Sequence, residues 1–191
     1  MARFGGIDGN SALTSVAAVV LTALLLAEGV TILNVGGLRT PHMFIGLLLI
    51  PPLLVKLAST GYRFARYYTG AHAYRLQGPP VTALRLLAPL LVLTTVAIFV
   101  TGIALLILGH RSDTLVGLHK VSFIVWSFAF GIHFLAHLPK MLRSVAATWT
   151  IPGAGVRLAL VGASVVAGLG LALAVLGAIT GWHGGFGGEG G

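Results

Sequence analysis

The chain alternates long apolar runs with short polar interruptions, and the runs are longer than a soluble core helix needs. A helix crosses a hydrocarbon layer of about 30 Å with about 20 residues at 1.5 Å rise each. Five runs meet that length, at about 11–34, 41–67, 81–108, 114–138 and 156–180. Their bounds come from the residues between them. Gly36-Gly37-Leu38-Arg39-Thr40 reads as a turn, and Thr40-Pro41 then supplies a cap residue and a proline at the first helical position. Pro51-Pro52 and Pro89 fall inside runs and predict kinks. The polar stretch 69–80, the turn from Gly109 to Asp113, a boundary at Pro139-Lys140 and a turn over 149–155 separate the remaining runs. The first run is too long for the apolar core of a cleaved leader, about 7–15 residues, so it counts as a span. Residues 181–191 are Gly-rich and read as a disordered tail.

Composition agrees with this pattern. Of 191 residues, 57% are hydrophobic and 8% charged, against about 25% charged in soluble proteins. The expectation is an all-α integral membrane bundle, a single membrane domain over 1–191 with five transmembrane helices. The net charge of +8 does not point to nucleic acid, because the basic residues sit at the ends of apolar runs and not along a polar face. They read as topology determinants. Arg3, Arg63, Arg66, Arg75, Arg85, Lys140, Arg143 and Arg157 fall on one side, and Arg39, Arg111 and Lys120 on the other. The positive-inside rule then predicts a multi-pass protein of the cell inner (plasma) membrane with its N-terminus cytoplasmic and its C-terminus outside. Lys56, in the inner half of the second span, can snorkel inward.

The acidic residues Asp8, Glu28, Asp113 and Glu189 are scattered, which excludes most paired-carboxylate catalysis. Glu28 is the acid placed inside the membrane, so it should be protonated, hydrogen-bonded or facing a polar cavity. There is no cysteine. That removes disulfides, thiolate metal sites and covalent haem attachment, and leaves histidine as the main ligand class for a non-covalent haem.

Histidine is where the chemistry concentrates. The fourth span carries His119, His133 and His137, and the second begins with His42. Fourteen steps separate His119 from His133, which returns to within about 40° of the same helical face and about 21 Å along the axis. Two imidazoles at two depths on one face suit a helix that supplies axial ligands to haem. The alternative is that intramembrane histidines only hydrogen-bond to neighbouring helices. Depth sorts the pairs. His42 and His119 differ by roughly 6–8 Å along helices that run the same way, which tilt can close, whereas His133 lies about 28 Å deeper than His42. His42 with His119 is therefore the outer ligand pair. His133 and His137 face the same way and cannot be trans ligands of one iron, so the partner of an inner haem stays open, with His72 the spare histidine on that side. His72, His110 and His183 read as solvated loop residues. Arg63 and Arg66 are candidates to pair with haem propionates on the inner side, or else topology anchors. A zinc or hydrolase site at His133-x-x-x-His137 fails for want of a third ligand or nearby acid.

With these residues in place, the chain resembles the membrane b-type cytochrome subunits of hydrogenases, formate dehydrogenases and related molybdopterin enzymes, whose ligand helix carries two histidines about fourteen apart. More closely, His42-Met43-Phe44-Ile45-Gly46, Pro51-Pro52 and the stretch from Ser59 to Gly70 are similar to small actinobacterial-type cytochrome b-like membrane proteins. The likeness covers about 28–139. It implies a haem-binding four-helix core, ligands at His42, His119 and His133, and one haem b with a second left open. The chain departs from the di-haem pattern in having no histidine inside the first span and no second one inside the second.

The expected function is electron transfer through bis-His-ligated haem, between a redox partner subunit of molybdopterin or hydrogenase type and the quinone pool or another carrier. An electron-transfer subunit is expected more than a stand-alone enzyme. Glu28 is a candidate proton relay to a quinone or a neutral structural acid. The reading from another class is a haem-free membrane anchor of a redox complex. Expected partners are membrane lipid, the redox subunit and a quinone.

Overall fold

Lipid offers no partner to a backbone N–H or C=O, so each apolar run must satisfy its own backbone as a helix. The computed structural model describes residues 6–76, 78 and 82–182. It forms α1 (Gly6–Ile32), α2 (Arg39–Tyr68), α3 (His72–Leu76), α4 (Thr82–Leu108), α5 (Asp113–Ala146), α6 (Ala154–Ala174) and α7 (Leu176–Thr180), with a 3-10 turn at Ala147–Trp149. Among the described residues there is no strand. The protein is an all-α membrane bundle in which α1, α2, α4, α5 and α6 are long and apolar enough to cross a bilayer.

The helix bounds differ from the sequence expectation in five places. α1 begins at Gly6, before the apolar run. The stretch 69–80 contains the short helix α3. Pro139 does not end the fourth span, because α5 continues through it to Ala146. One proline removes a single N–H, whereas stopping there would strand the backbone groups of the next turns at the membrane edge. Lys140 and Met141, just past the proline, line the interior. The fifth span starts at Ala154 and is interrupted at Val175 (φ −108°, ψ 13°), after which α7 forms a separate turn. The Gly-rich end is not all a free tail. Trp182 is 3% exposed and its indole N–H donates to the carbonyl of Leu105 at 2.9 Å, with Arg39 4.9 Å over its ring. The rest of that end, including His183, lies outside the described residues.

α1 packs along α2, α4 packs along α5, and α1 also meets α5, but α2 and α4 scarcely touch. α6 packs on the outside of α2 and α1. The four helices α1, α2, α4 and α5 therefore enclose a hollow, and no residue of α6 lines it. We call its two ends by their residues. The His42 end gathers the start of α2 and α5 and the close of α1 and α4, and the Tyr67 end gathers the opposite termini.

Polar contacts hold the pairs in register. At the Tyr67 end, Ser59 Oγ donates to Asn10 Oδ1 at 2.6 Å, Asn10 Nδ2 donates to the Ser59 carbonyl at 3.1 Å, and Thr14 and Ser59 hydroxyls meet at 2.5 Å. Between α5 and α4, Trp126 donates its indole N–H to Thr95 Oγ1 at 2.9 Å. Arg157, read from the sequence as a topology residue, is 4% exposed and folds back on its own chain. Its guanidinium donates to the carbonyls of Pro152 (2.7 Å), Thr148 (3.0 Å) and Ile151 (2.7 Å), which closes the turn into α6 at Gly153, where φ is 85°. A hydrogen bond from a charged donor contributes about 1.5–3 kcal/mol. Arg157→Ala is thus expected to lower the thermal midpoint of the detergent-solubilised protein clearly. An unchanged midpoint counts against the clasp.

Candidate functional site

The interior cavity measures about 2060 Å³, twice the upper end of the usual small-molecule range of about 300–1,000 Å³. At one end it brings together two of the histidines singled out in the sequence. His42 of α2 and His119 of α5 have ring centroids 6.3 Å apart, with planes crossed at 85°. The depth gap closes because α2 begins at Arg39, so His42 is three residues into its helix and His119 six into α5.

Both imidazoles are oriented by partners that the sequence did not reveal. His42 Nδ1 lies 2.8 Å from Glu28 Oε1 and 3.1 Å from Thr31 Oγ1. Thr31 gives its own proton to the Glu28 carbonyl at 2.6 Å, so His42 is the donor to the carboxylate. His119 Nδ1 lies 2.9 Å from Thr101 Oγ1, and Thr101 in turn donates to the Ala97 carbonyl at 2.6 Å. His119 is again the donor. In each neutral ring the proton therefore sits on Nδ1 and the lone pair on Nε2, as in a ligating histidine held by an acceptor behind it.

A small residue makes room for the His119 ring. A Cβ on Gly102 would lie 3.3 Å from His119 Cε1, tighter than an ordinary contact. Gly102→Val is therefore expected to push His119 off Thr101. Nitrogen NMR of histidine-labelled protein would show the His119 Nδ1–H environment change, and an unaltered environment would contradict the tight fit.

The remaining candidates separate. His133 and His137 are stacked side by side, with centroids 4.3 Å apart and planes at 19°, so they do not face each other across a metal. His137 Nδ1 donates to the His133 carbonyl at 2.9 Å, while His133 Nδ1 is buried without a hydrogen-bond partner among the described residues. His72 is exposed on α3 and His110 in its turn, and neither lines the cavity. Arg63 lines the cavity and Arg66 does not, which places Arg66 outside the site. Near the His42–His119 pair the lining arginines are Arg39 and Arg111, which sequence reasoning had assigned to topology. Among the described residues no group of three or more His, Cys, Asp or Glu side chains forms a metal cage.

His42 and His119 are the residues that would hold a haem iron here, each through Nε2, because Nδ1 is engaged in both. Compared with protein-family models, curated proteins and solved structures, the chain matches none.

Proposed function

We propose that the protein is a b-type cytochrome of the plasma membrane that carries electrons through haem held by His42 and His119. The observation that supports this reading is the close approach of the two imidazoles, 6.3 Å between centroids, each with Nδ1 engaged by a neighbouring oxygen and the lone pair on Nε2. Bound there, haem supplies a one-electron redox centre. The chain's own groups do the rest. Glu28 and Thr101 fix ring tautomer and orientation, and the carboxylate behind His42 raises its basicity as a ligand. Gly102 keeps room for the His119 ring. Arg39, Arg111 and Lys120 are cations lining that end and suited to haem carboxylates, Arg111 also pairing with Asp113 at 2.7 Å.

This reading extends the resemblance to cytochrome b subunits of hydrogenases and formate dehydrogenases, with a redox partner subunit on one side and a quinone or other carrier completing the transfer. In the same reading the N-terminus is cytoplasmic and the C-terminus outside, from the eight-to-three distribution of basic residues. The purified protein is expected to be coloured. Its reduced-minus-oxidised spectrum should show the bands of a low-spin b-type haem that acid-acetone extracts, since no cysteine can hold it covalently. Colourless protein from haem-replete cells would leave the membrane-anchor reading in its place.

A further inference from the structure

The cavity continues far beyond the His42–His119 pair, and cations line it at both ends. Glu28 is the one carboxylate lining it among the described residues, and it sits at the His42 end, engaged with His42. Toward the Tyr67 end the polar lining is basic. α2 contributes Lys56 and Arg63, seven residues apart and so on one face. α5 contributes His133, His137 and Lys140, also on one face, and α4 contributes Arg85. These α2 and α5 groups lie about 21–32 Å along their helices from His42 and His119, beyond the reach of Glu28.

Among the described residues none of Lys56, Arg63, His133 or Lys140 has a carboxylate within ion-pair distance. Arg85 is engaged differently, donating to Tyr68 Oη at 2.6 Å. Uncompensated cations facing one another inside a membrane protein repel and are costly to desolvate, and a bound anion offsets both effects. His133 lines the same stretch, with its Nδ1 buried and without a hydrogen-bond partner among the described residues. Beside it the wall is apolar and flat. Trp126, Phe130 and Phe134 stack along α5 with centroid spacings of 4.6 and 5.6 Å and near-parallel planes. A cationic group next to an aromatic wall, in a cavity with volume to spare, suits a ligand with two parts.

We infer that the Tyr67 end binds an amphiphile with an acidic head, the head on Lys56, Arg63, His133 and Lys140 and the apolar body along the Trp126–Phe134 face. An acidic phospholipid and a carboxylate-bearing tetrapyrrole present that same chemistry. The site stands whether or not iron is held by His42 and His119.

Native mass spectrometry of the full chain tests it, after purification in detergent and reconstitution into nanodiscs of phosphatidylglycerol or of phosphatidylcholine. A one-to-one adduct should survive removal from the disc. A phospholipid mass from phosphatidylglycerol but not phosphatidylcholine identifies the lipid source. A tetrapyrrole mass in both, counted beyond the one that His119→Ala removes, identifies the other. Lys56→Gln and Arg63→Gln should each weaken retention roughly tenfold or more, since each deletes a charge-assisted contact. Arg66→Gln, at the same end but outside the cavity, should leave retention unchanged, and visible absorbance from the His42–His119 pair should be equal in all three variants. No adduct in the wild type, or an adduct indifferent to lipid charge and to both substitutions, overturns the inference.

Discussion

His42→Ala and His119→Ala should each abolish the low-spin spectrum of the protein, leaving a five-coordinate high-spin haem or none. The two rings come from different helices and lie 6.3 Å apart, so on the proposed ligation the removal of either would leave the iron one imidazole, with no substitute nearby. His133 and His137 are stacked on each other more than three turns further along α5 and cannot take the place of His119. His110→Ala, at an exposed turn residue, should leave the spectrum intact. Haem content and visible bands for each variant check the expectation, and unchanged low-spin bands in both histidine variants would remove the pair from the site.

The second large effect lies away from the cavity. α6 approaches α2 so closely at Gly168 that a Cβ there would overlap the backbone carbonyl of Leu48. Close approach through small residues is how membrane helices gain packing energy without a hydrophobic drive between them. A carbonyl in a helix cannot swing aside as a side-chain tip can. Gly168→Val is therefore expected to separate α6 from α2 and to cost at least the roughly 1–3 kcal/mol typical of overpacking. Leu47, Ala172 and Ile179, with Met43 and Phe44 against them, form a core cluster that includes this seam. The thermal midpoint should fall while any visible spectrum keeps its shape, because α6 lines no part of the cavity. A stable Gly168→Val protein would show that the seam opens at little cost.

The spans were legible because bilayer thickness sets a length that five runs of this sequence meet, and in lipid a helix is the way such a run satisfies its backbone. The proximity of His42 and His119 was legible for a similar reason, since helices that run the same way convert sequence position into depth. What surrounds the rings was not. Glu28 and Thr31 close α1 while His42 opens α2, and Thr101 reaches His119 from α4, so these contacts depend on how helices rotate against each other. A carboxylate inside an apolar run calls for a hydrogen bond, but which partner it finds depends on that rotation. The polar side of α2 misled in part. Arg63 and Arg66 look equivalent in an interfacial cluster, yet three residues of helix turn one toward the cavity and leave the other outside it. Pro139 misled because a proline's local cost was weighed without the backbone groups that an early stop would expose. Arg157 and Trp182 sat in stretches read as topology determinant and tail, and only the chain's return onto itself buries them.

The most direct test is low-temperature electron paramagnetic resonance of the oxidised wild-type protein, because ring orientation at a low-spin ferric centre decides the shape of its spectrum. Planes crossed at 85° should give a highly anisotropic signal dominated by one low-field feature, lost in both His42→Ala and His119→Ala. A high-spin signal in the wild type, or a low-spin one that persists in either variant, would contradict an iron shared by these two imidazoles.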